Sequence, residues 1–237
     1  MNRKWTSESH QILEVAGELK RYNRWIVSLF AQYFGNNTLE IGSGMGALST
    51  LIPSKKLIVS DLRDDYFSYL KKEFNFETLK LDIEKEAPKK YAAFFDTIFS
   101  SNVFEHIKKD WAAFDNSFKL LKPKGKLLLF VPASPRIYGK LDESMGHYRR
   151  YTLTEVTEKA EQAGFKIVKV SYANLPGYFT WWGRGILLPK IIPNQIQDQG
   201  DGLLGKIFDL IVTPLLYLEK IFTLPFGQSV MLVAQKP

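Results

Sequence analysis

The feature that most constrains the fold is an alternation of short apolar strands with segments of helical periodicity. The predicted strands are residues 38–41, 56–61, 76–82, 94–102, 126–132, 165–172 and 229–236. The predicted helices between them are residues 47–52, 62–74, 110–121 and 152–164. Parallel neighbours must be joined by a crossover, usually a helix, so this order favours a doubly wound parallel sheet with helices on both faces. The predicted fold class is therefore α/β.

Two further segments depart from this alternation. Residues 8–34 place apolar side chains at steps of three and four, which predicts a long amphipathic helix. Residues 174–227 separate the last two predicted strands by roughly fifty residues, where a typical connection has about four to six. We therefore predict one domain over residues 1–237, with an N-terminal helical cap at 1–35 and an apolar helical insertion at 174–227.

The composition excludes several kinds of site. The chain has no cysteine, which excludes disulfides, thiol nucleophiles and thiolate metal ligands, and with only three histidines a histidine-rich metal site is not expected. The formal net charge of +7 suits nucleic acid, anionic lipid or a phosphorylated substrate. The lysines are scattered in pairs, however, so nucleic-acid binding is not expected. The polar N-terminus lacks the apolar region of a secretory signal, which favours a cytoplasmic location.

A glycine-rich stretch, TLEIGSGMGALS at residues 38–49, covers the first predicted strand and the turn after it. Its glycines, Gly42, Gly44 and Gly46, offer backbone N–H groups and let a ligand approach closely. Asp61 ends the next predicted strand and is placed to accept hydrogen bonds from two ribose hydroxyls. A nicotinamide dinucleotide fits this pattern, because G-x-G-x-x-A is an accepted variant of its fingerprint. The loop alone leaves a second nucleoside cofactor open.

Three features argue against the dinucleotide. Glu40 lies two residues before the first glycine, where a carboxylate would repel a diphosphate but attract the ammonium group of an amino-acid ligand. Asp82 ends the third predicted strand and is placed to accept from an adenine amino group. At the fourth strand, FDTIFSSNVFEHI (95–107) places small polar residues before Glu105 and His106. Each acid also has a plainer interpretation, in which it only caps a helix or turn at a strand end.

In this order and spacing, the motifs resemble the class I S-adenosylmethionine-dependent methyltransferases over most of residues 36–172 and the final strand. LLKPKGKLLLFVP (120–132) is similar to that family's lead into its fifth strand. The resemblance implies a Rossmann-like sheet of seven strands, the last of them antiparallel. Residues 165–172 and 229–236 would then be neighbours at one edge. The implied cofactor is S-adenosylmethionine, with S-adenosylhomocysteine as the product.

The resemblance also gives each motif a role. LEIGSGMG would cradle the methionine part of the cofactor, VSDL would bind the ribose, and LDIE would contact the adenine. The residues after the fourth strand would line the cofactor cleft. The implied cofactor-binding residues are Glu40, Gly42, Ser43, Gly44, Gly46, Asp61, Leu62, Asp82, Ile83, Ser101, Asn102 and Val103.

Two histidines are candidates for catalysis. Methyl transfer from a sulfonium is an in-line displacement, so the protein mainly holds donor and acceptor in line, and no metal is required in principle. A hydroxyl or carbon acceptor needs a general base, whereas a nitrogen acceptor needs only its own lone pair. His106 follows the cofactor motif in FEHI, and His147 lies in DESMGHYRRYT (142–152), which resembles a GHxRRYT stretch of a bacterial subset of these methyltransferases. The alternative for His106 is packing at the start of a helix.

The same segment supplies candidates for substrate binding. Arg149 and Arg150 are suited to grip a phosphate or carboxylate, and Tyr151 completes a dense set of donors. In a purely structural interpretation, one arginine pairs with Asp142 or Glu143 and the tyrosine packs before the next helix. The two interpretations do not exclude each other.

The predicted N-terminal helix supplies one more candidate. Tyr22 lies on the same helix face as Trp25, three residues later, and is predicted to contact the substrate. Packing of both side chains in the core is the plainer interpretation.

The insertion at 174–227 is too apolar for a surface loop, and Pro214 and flanking charges make its apolar runs too short to span a membrane. It is interpreted as a lid over an apolar acceptor pocket, as a membrane-interface contact rich in aromatic side chains, or as a helical subdomain or dimer contact. The oligomeric state stays open.

The sequence as a whole predicts a methyltransferase acting on a small or lipid-linked acceptor. Its expected location is the cytoplasm, including the inner face of the membrane. The alternatives are an RNA or protein methyltransferase, a non-catalytic cofactor-binding scaffold, and a nicotinamide-dependent dehydrogenase.

Overall fold

The computed structural model of the protein describes residues 19–183 and 207–237. Its strands form one sheet of seven in the order β3-β2-β1-β4-β5-β7-β6. They are β1 (Asn37–Ile41), β2 (Lys56–Asp61), β3 (Glu77–Lys80), β4 (Phe95–Ser101), β5 (Leu121–Pro132), β6 (Lys166–Ala173) and β7 (Ser229–Gln235). β7 runs antiparallel to both β5 and β6, and the other pairs are parallel. This confirms the predicted α/β class and the predicted pairing of the last two strands.

Helices connect the strands and cover the sheet. They are α1 (Lys20–Phe30), α2 (Asp64–Phe74), α3 (Asp110–Leu120), α4 (Lys140–Ser144), α5 (Leu153–Gln162), α6 (Leu175–Trp182) and α7 (Thr213–Leu216). α5 begins where predicted, because the side chain of Thr152 accepts a hydrogen bond from the backbone N–H of Glu155 at 3.1 Å. After α5 the chain turns at Gly164 with φ +96°, a conformation that favours glycine.

Two groups of buried side chains hold the layers together. One includes Phe104, Phe114 and Phe165, and it packs α3 and α5 against one face of the sheet. The other joins α1 to the opposite face and includes Trp25 and Phe99. Burying each large apolar side chain contributes roughly 1.5–3 kcal/mol, so the central strands are fixed between two apolar layers. This rigidity places the carboxyl ends of β1, β2 and β4 at one edge.

Some predicted boundaries are wrong. The predicted helix at 47–52 is only a single 3₁₀ turn, Ser49–Leu51. The predicted turn at KPKG lies inside β5, where the pairing with β4 shifts register and Lys124 adopts φ +66°. In place of a helix to residue 34, α1 ends at Phe30 and a 3₁₀ turn follows. The part of that prediction before residue 19 lies outside the described residues.

The described parts of the insertion are helical. α6 is capped by Asn174, whose side chain accepts from the backbone N–H of Gly177 at 2.9 Å. A π-helical turn (Phe208–Val212) leads into α7, and the 3₁₀ turn Tyr217–Lys220 follows it. The carboxylate of Glu219 accepts from the backbone N–H groups at the start of α6, which joins the two parts.

In the part of the chain that the structure describes, every helix falls short of the length and apolar character that crossing a bilayer requires. Residues 184–206 of the predicted insertion lie outside the described residues.

Candidate active site

The glycine loop follows β1 at the carboxyl edge of the sheet. Gly42, Gly44 and Gly46 all adopt positive φ, at +74°, +52° and +83°. A Cβ atom on Gly42 would lie 2.3 Å from Cγ2 of Val103, so the loop packs directly on the segment that follows β4. The hydroxyl of Ser43 is buried and has no hydrogen-bond partner among the described residues. A bare backbone and an unpaired buried hydroxyl fit a loop that cradles a polar ligand.

Asp61, at the end of β2, fixes the middle of this loop. Its Oδ2 accepts from the backbone N–H of Gly44 at 3.0 Å, and its Oδ1 accepts from that of Arg63 at 3.1 Å. Burial raises the pKa of Asp61, and these hydrogen bonds partly oppose the increase. Each carboxylate oxygen keeps acceptor capacity for a ribose hydroxyl. The neighbouring side chain of Leu62 is exposed.

Glu40 lies in β1 beneath the glycine loop and is almost completely buried. The hydroxyl of Ser49 donates a hydrogen bond to its Oε2. Burial raises the pKa of Glu40 to about 7; the Ser49 hydrogen bond lowers it, and the charge of Asp61 raises it further. The structure thus places a carboxyl group close to its titration midpoint under the predicted methionine site.

The remaining predicted cofactor residues lie after β3 and β4. Asp82 accepts from the backbone N–H of Glu84 at 3.2 Å, so it caps a turn, as its plainer interpretation predicts. Ile83 packs in the core. Asn102 adopts φ +53°, and its backbone N–H donates to the carbonyl of Phe130 at 2.8 Å. Ser101 and Val103 flank it half-buried. The twelve residues therefore lie in or directly after the carboxyl ends of four strands, and their contact with a cofactor stays a prediction.

The segment 138–151, on the other side of this edge, is organised by Asp142. Its Oδ1 accepts from Nε of Arg150 at 2.8 Å and lies 2.9 Å from Nδ1 of His147. Its Oδ2 lies 3.3 Å from the donor Nε1 of Trp181 in α6. Burial alone would raise the pKa of Asp142, but the bond to His147 and the charge of Arg150 outweigh it and lower the pKa. The carboxylate is therefore ionised, and it connects the helix α4, the loop that carries His147 and Arg150, and the helix α6.

A second buried aspartate, Asp110 at the start of α3, holds the rest of the motif. It accepts from Nη1 of Arg149 at 2.7 Å, from the hydroxyl of Tyr151 at 2.8 Å and from Nζ of Lys159 at 3.0 Å. Burial would raise the pKa of Asp110, but these donors outweigh it and lower the pKa. The structural interpretation of this segment is thus observed: Arg150 pairs with Asp142, and Tyr151 is buried before α5.

One nitrogen of Arg150 is available to bind a ligand. Nη2 of Arg150 is buried and has no hydrogen-bond partner among the described residues. The guanidinium lies 4.5 Å from the ring centre of Trp181. A buried donor without a partner costs free energy, so the site has a preference for an oxygen at this position.

Glu105, His106 and His147 form a cluster that joins the fourth-strand motif to the segment 138–151. Glu105 is completely buried, and neither of its carboxylate oxygens has a hydrogen-bond partner among the described residues. Its Oε1 lies 3.9 Å from Nε2 of His147 and 4.0 Å from Nε2 of His106. Burial raises the pKa of Glu105 to about 8. The two predicted catalytic histidines are brought together, with ring centres 4.7 Å apart.

Tyr22 lies elsewhere, between α1 and the insertion. Its ring stacks on Trp25 at 5.3 Å, and its hydroxyl accepts from Nδ2 of Asn174 at 2.9 Å. Burial raises its pKa. Its backbone N–H donates to Asp209 at 2.8 Å. Its predicted contact with a substrate stays a prediction.

Sequence reasoning missed Asp110 and Trp181 as parts of this site. They lie 41 residues from Tyr151 and 39 from Asp142, respectively. An aspartate at the start of a helix and a tryptophan in an apolar segment have ordinary local explanations, so only the tertiary structure reveals these contacts. Glu105 was noted in FEHI, but the sequence could not show that its carboxylate is buried without a hydrogen-bond partner among the described residues.

Comparisons with known proteins identify the family and the fold. Residues 12–170 match the family model of a methyltransferase domain. The fold is similar to that of the methyltransferase in complex with the Trm112 methyltransferase activator from Haloferax volcanii, with a TM-score of 0.63, 13% identity, and 99% of this chain and 100% of that chain covered.

Two further solved structures are similar in fold. The match to a SAM-dependent methyltransferase from Archaeoglobus fulgidus has a TM-score of 0.58, 16% identity, and coverage of 89% and 91%. The match to an S-adenosylmethionine-dependent methyltransferase from Mesorhizobium loti has a TM-score of 0.57, 14% identity, and coverage of 89% and 95%. No curated protein matches by sequence. The family match spans more than half of the chain, so the chain belongs to the methyltransferase-domain family, which confirms its resemblance to the class I S-adenosylmethionine-dependent enzymes.

Proposed function

We propose that the chain transfers a methyl group from S-adenosylmethionine to a small or lipid-linked acceptor held beside the segment 138–151. The observation that carries the acceptor side of this proposal is the contact of Trp181 with Asp142 and Arg150. It joins the polar segment to the apolar insertion, so one acceptor would meet a guanidinium and apolar side chains together. A lipid-linked saccharide has this combination of a charged or polar part and an apolar part.

The cofactor side rests on the glycine-loop edge. When bound, S-adenosylmethionine supplies a methyl group on a sulfonium, which is its own leaving group. Asp61 would accept from the ribose hydroxyls, Asp82 from the adenine amino group, and Glu40 would attract the ammonium group. The unpaired hydroxyl of Ser43 supports a polar ligand at the loop. The role of the protein is to hold this donor in line with the acceptor.

His147 and His106 would act on the acceptor. Nδ1 of His147 lies 2.9 Å from Oδ1 of Asp142, which orients the ring so that Nε2 is on the side of Glu105. Arg150 would use Nη2 to hold an oxygen of the acceptor, and Arg149 and Tyr151 would shape the same wall.

The outer surface of the insertion supports a lipid environment. Its exposed large apolar side chains are Phe179, Trp182, Ile207, Leu210, Ile211, Leu215, Tyr217, Leu218, Ile221, Phe222 and Phe226. A patch of this kind marks an interaction surface more often than it occurs on an isolated monomer. Lys20, Arg21 and Arg24 are exposed on α1, which packs on the same segment. Apolar side chains beside cations fit an anionic phospholipid surface at the cytoplasmic face of a membrane.

The first experiment is calorimetric titration with S-adenosylhomocysteine, with NAD as the parallel control. We expect binding of the first only. The second experiment uses methyl-labelled S-adenosylmethionine and follows the label into lipid, water-soluble, RNA and protein fractions of a cell extract. Label in the lipid or small-molecule fraction supports the proposal. Label confined to RNA or protein would contradict the acceptor class, and binding without any transfer would favour a scaffold.

The membrane contact has its own test. We expect the protein to co-sediment with phosphatidylglycerol-containing vesicles and to lose this binding in the double variant Ile221→Asp, Phe222→Asp. Trp111→Asp is the matched control, because Trp111 is exposed to a similar extent but lies on α3. Equal binding by both variants would contradict the contact through the insertion.

A further inference from the structure

The cluster of Glu105, His106 and His147 contains the donor atoms of a metal site. One carboxylate oxygen and one nitrogen from each imidazole all lie within 4.8 Å of one another. Two of these separations are 3.9 Å and 4.0 Å, from Oε1 of Glu105 to Nε2 of each histidine. With these two separations and a third of at most 4.8 Å, an ion in the plane of the three atoms could lie about 2.5 Å from each. Contraction by a few tenths of an ångström gives the roughly 2.0–2.2 Å of Zn–N and Zn–O bonds. Small rotamer changes would provide that contraction.

Glu105 supplies independent evidence for a ligand. Both of its oxygens are completely buried and lack a hydrogen-bond partner among the described residues. Buried carboxylates normally have several donors, and leaving one without any is costly. The imidazole nitrogens lie 3.9 Å and 4.0 Å from Oε1, which is too far for hydrogen bonds. A cation between these three groups would satisfy the carboxylate and both imidazoles at once.

The surroundings of His147 are those of a metal-ligating histidine. Its Nδ1 lies 2.9 Å from Oδ1 of Asp142, at hydrogen-bond distance. Nε2 is the nitrogen closer to Glu105 and is the one that would bind the ion. A carboxylate behind a histidine, which fixes its tautomer and orientation, is the usual outer shell of a metal ligand. Tyr138 also donates to the backbone carbonyl of His147 at 2.9 Å, which holds this part of the segment in place.

The charge balance and the types of donor atom restrict which ion the site would bind. With its carboxylates ionised, the set of Glu105, Asp142 and Arg150 carries a formal charge of −1, so a divalent cation leaves +1. Two imidazoles and one carboxylate suit zinc, iron, cobalt or manganese, whereas magnesium and calcium prefer oxygen alone. Three protein ligands leave an open coordination position, as in catalytic zinc sites with two histidines and a glutamate.

We propose that Glu105, His106 and His147 bind one divalent transition-metal ion, with Asp142 as the positioning residue for His147. His106 is the partly exposed member of the set, so the open position is approached from its side. An ion there would bind a hydroxyl oxygen of the acceptor and lower its pKa. That use rests on the proposed function, whereas metal binding itself does not.

The test titrates the chelator-treated, full-length protein with Co²⁺ alone, and follows the visible absorption of the ion and then its displacement by Zn²⁺. We expect one equivalent of Co²⁺ to bind with the absorption of a nitrogen- and oxygen-ligated site. Glu105→Gln and His147→Gln should abolish this absorption. His106→Ala, at the partly exposed position, should weaken binding at least tenfold, and Asp142→Asn should weaken it about 10–100-fold.

Folding and specificity are controlled separately. Glu143→Gln, at an exposed position beside Asp142, should bind Co²⁺ like the unmodified protein. Each variant is also titrated with S-adenosylhomocysteine, because a folded variant should keep that binding. This second titration distinguishes a failure of the metal proposal from a failure of the proposed function. Absence of a one-equivalent site would overturn the metal proposal. So would equal binding by the unmodified protein and by a folded Glu105→Gln or His106→Ala variant.

Discussion

The glycine loop and the segment 138–151 both contact residues that follow β4, but they are held in place differently. At the loop, backbone N–H groups donate to Asp61 and to the carbonyl of Ser60, over separations of fewer than twenty residues. In the segment, side-chain ion pairs and hydrogen bonds converge on Asp110 and Asp142 from up to 49 residues away. The first arrangement depends on backbone conformation, and the second depends on buried charges.

We expect the largest loss of stability when the buried charge network of Asp142 is broken. Asp142→Ala leaves the guanidinium of Arg150 buried without its carboxylate. We expect the free energy of unfolding to fall by about 3–5 kcal/mol, as measured by urea denaturation. Affinity for S-adenosylhomocysteine should change little, because the hydrogen bonds of Asp142 within the described residues do not involve the glycine loop. The control is Glu143→Ala at the exposed neighbouring position. A loss below about 1 kcal/mol would show that the network contributes little.

At the glycine loop, the expected loss comes from the backbone. Gly42→Ala adds a methyl group that would lie 2.3 Å from Val103, at a φ of +74°. We expect the free energy of unfolding to fall by about 2–4 kcal/mol, the sum of the strain and the overlap. Val103→Ala in the same chain should restore part of it, since it removes the overlap but not the strain. Gly183→Ala is the control, because a Cβ there meets no atom of the described residues within 4 Å. An additive double variant would show that the loop can move away from Val103.

The third prediction separates ligand binding from stability. Asp61→Ala should weaken binding of S-adenosylhomocysteine by about 1–3 kcal/mol, because two hydrogen bonds to the ribose would be lost together with the support of Gly44. Calorimetry gives the affinity, and Asp65→Ala, an exposed acid on α2, is the control. Unchanged affinity would contradict the assignment of Asp61 to the ribose.

The same contrast explains what the sequence could and could not predict. The seven strands and the position of the glycine loop follow from local patterns, because apolar runs, turn residues and strand-end acids are close together in the chain. The antiparallel last strand was implied by the resemblance to the methyltransferases, and the structure confirms it. The helix predicted at 47–52 failed because Gly46, at φ +83°, and Pro53 enclose only six residues, which form the 3₁₀ turn Ser49–Leu51. The boundary of β5 failed because a bulge lets the strand continue through KPKG.

The acceptor side was only partly predictable. The pairing of an arginine with Asp142 was one of two interpretations, since the two residues are close in sequence. The anchoring of Tyr151 by Asp110 and the contact of Trp181 with Asp142 depend on elements that meet only in the folded chain. Only the structure shows that the carboxylate of Glu105 lacks a hydrogen-bond partner among the described residues, because no sequence pattern indicates how many donors surround a buried carboxylate.

The smallest expected effect concerns Glu40 and tests whether charge, rather than shape, matters beneath the loop. Burial raises its pKa to about 7 in the folded protein, whereas an unfolded glutamic acid titrates near 4.5. The folded protein therefore keeps this proton over a pH range in which the unfolded chain has lost it, so Glu40 lowers stability as pH rises from about 4.5 to 7. The ammonium group of the ligand would favour the ionised form. Affinity for S-adenosylhomocysteine should then fall about tenfold for each pH unit below 7 and level off above it. Glu40→Gln should remove this dependence while keeping the shape of the site, since glutamine can still accept from the hydroxyl of Ser49. Equal pH dependence in both proteins would mean that Glu40 is a structural group that never meets the ammonium.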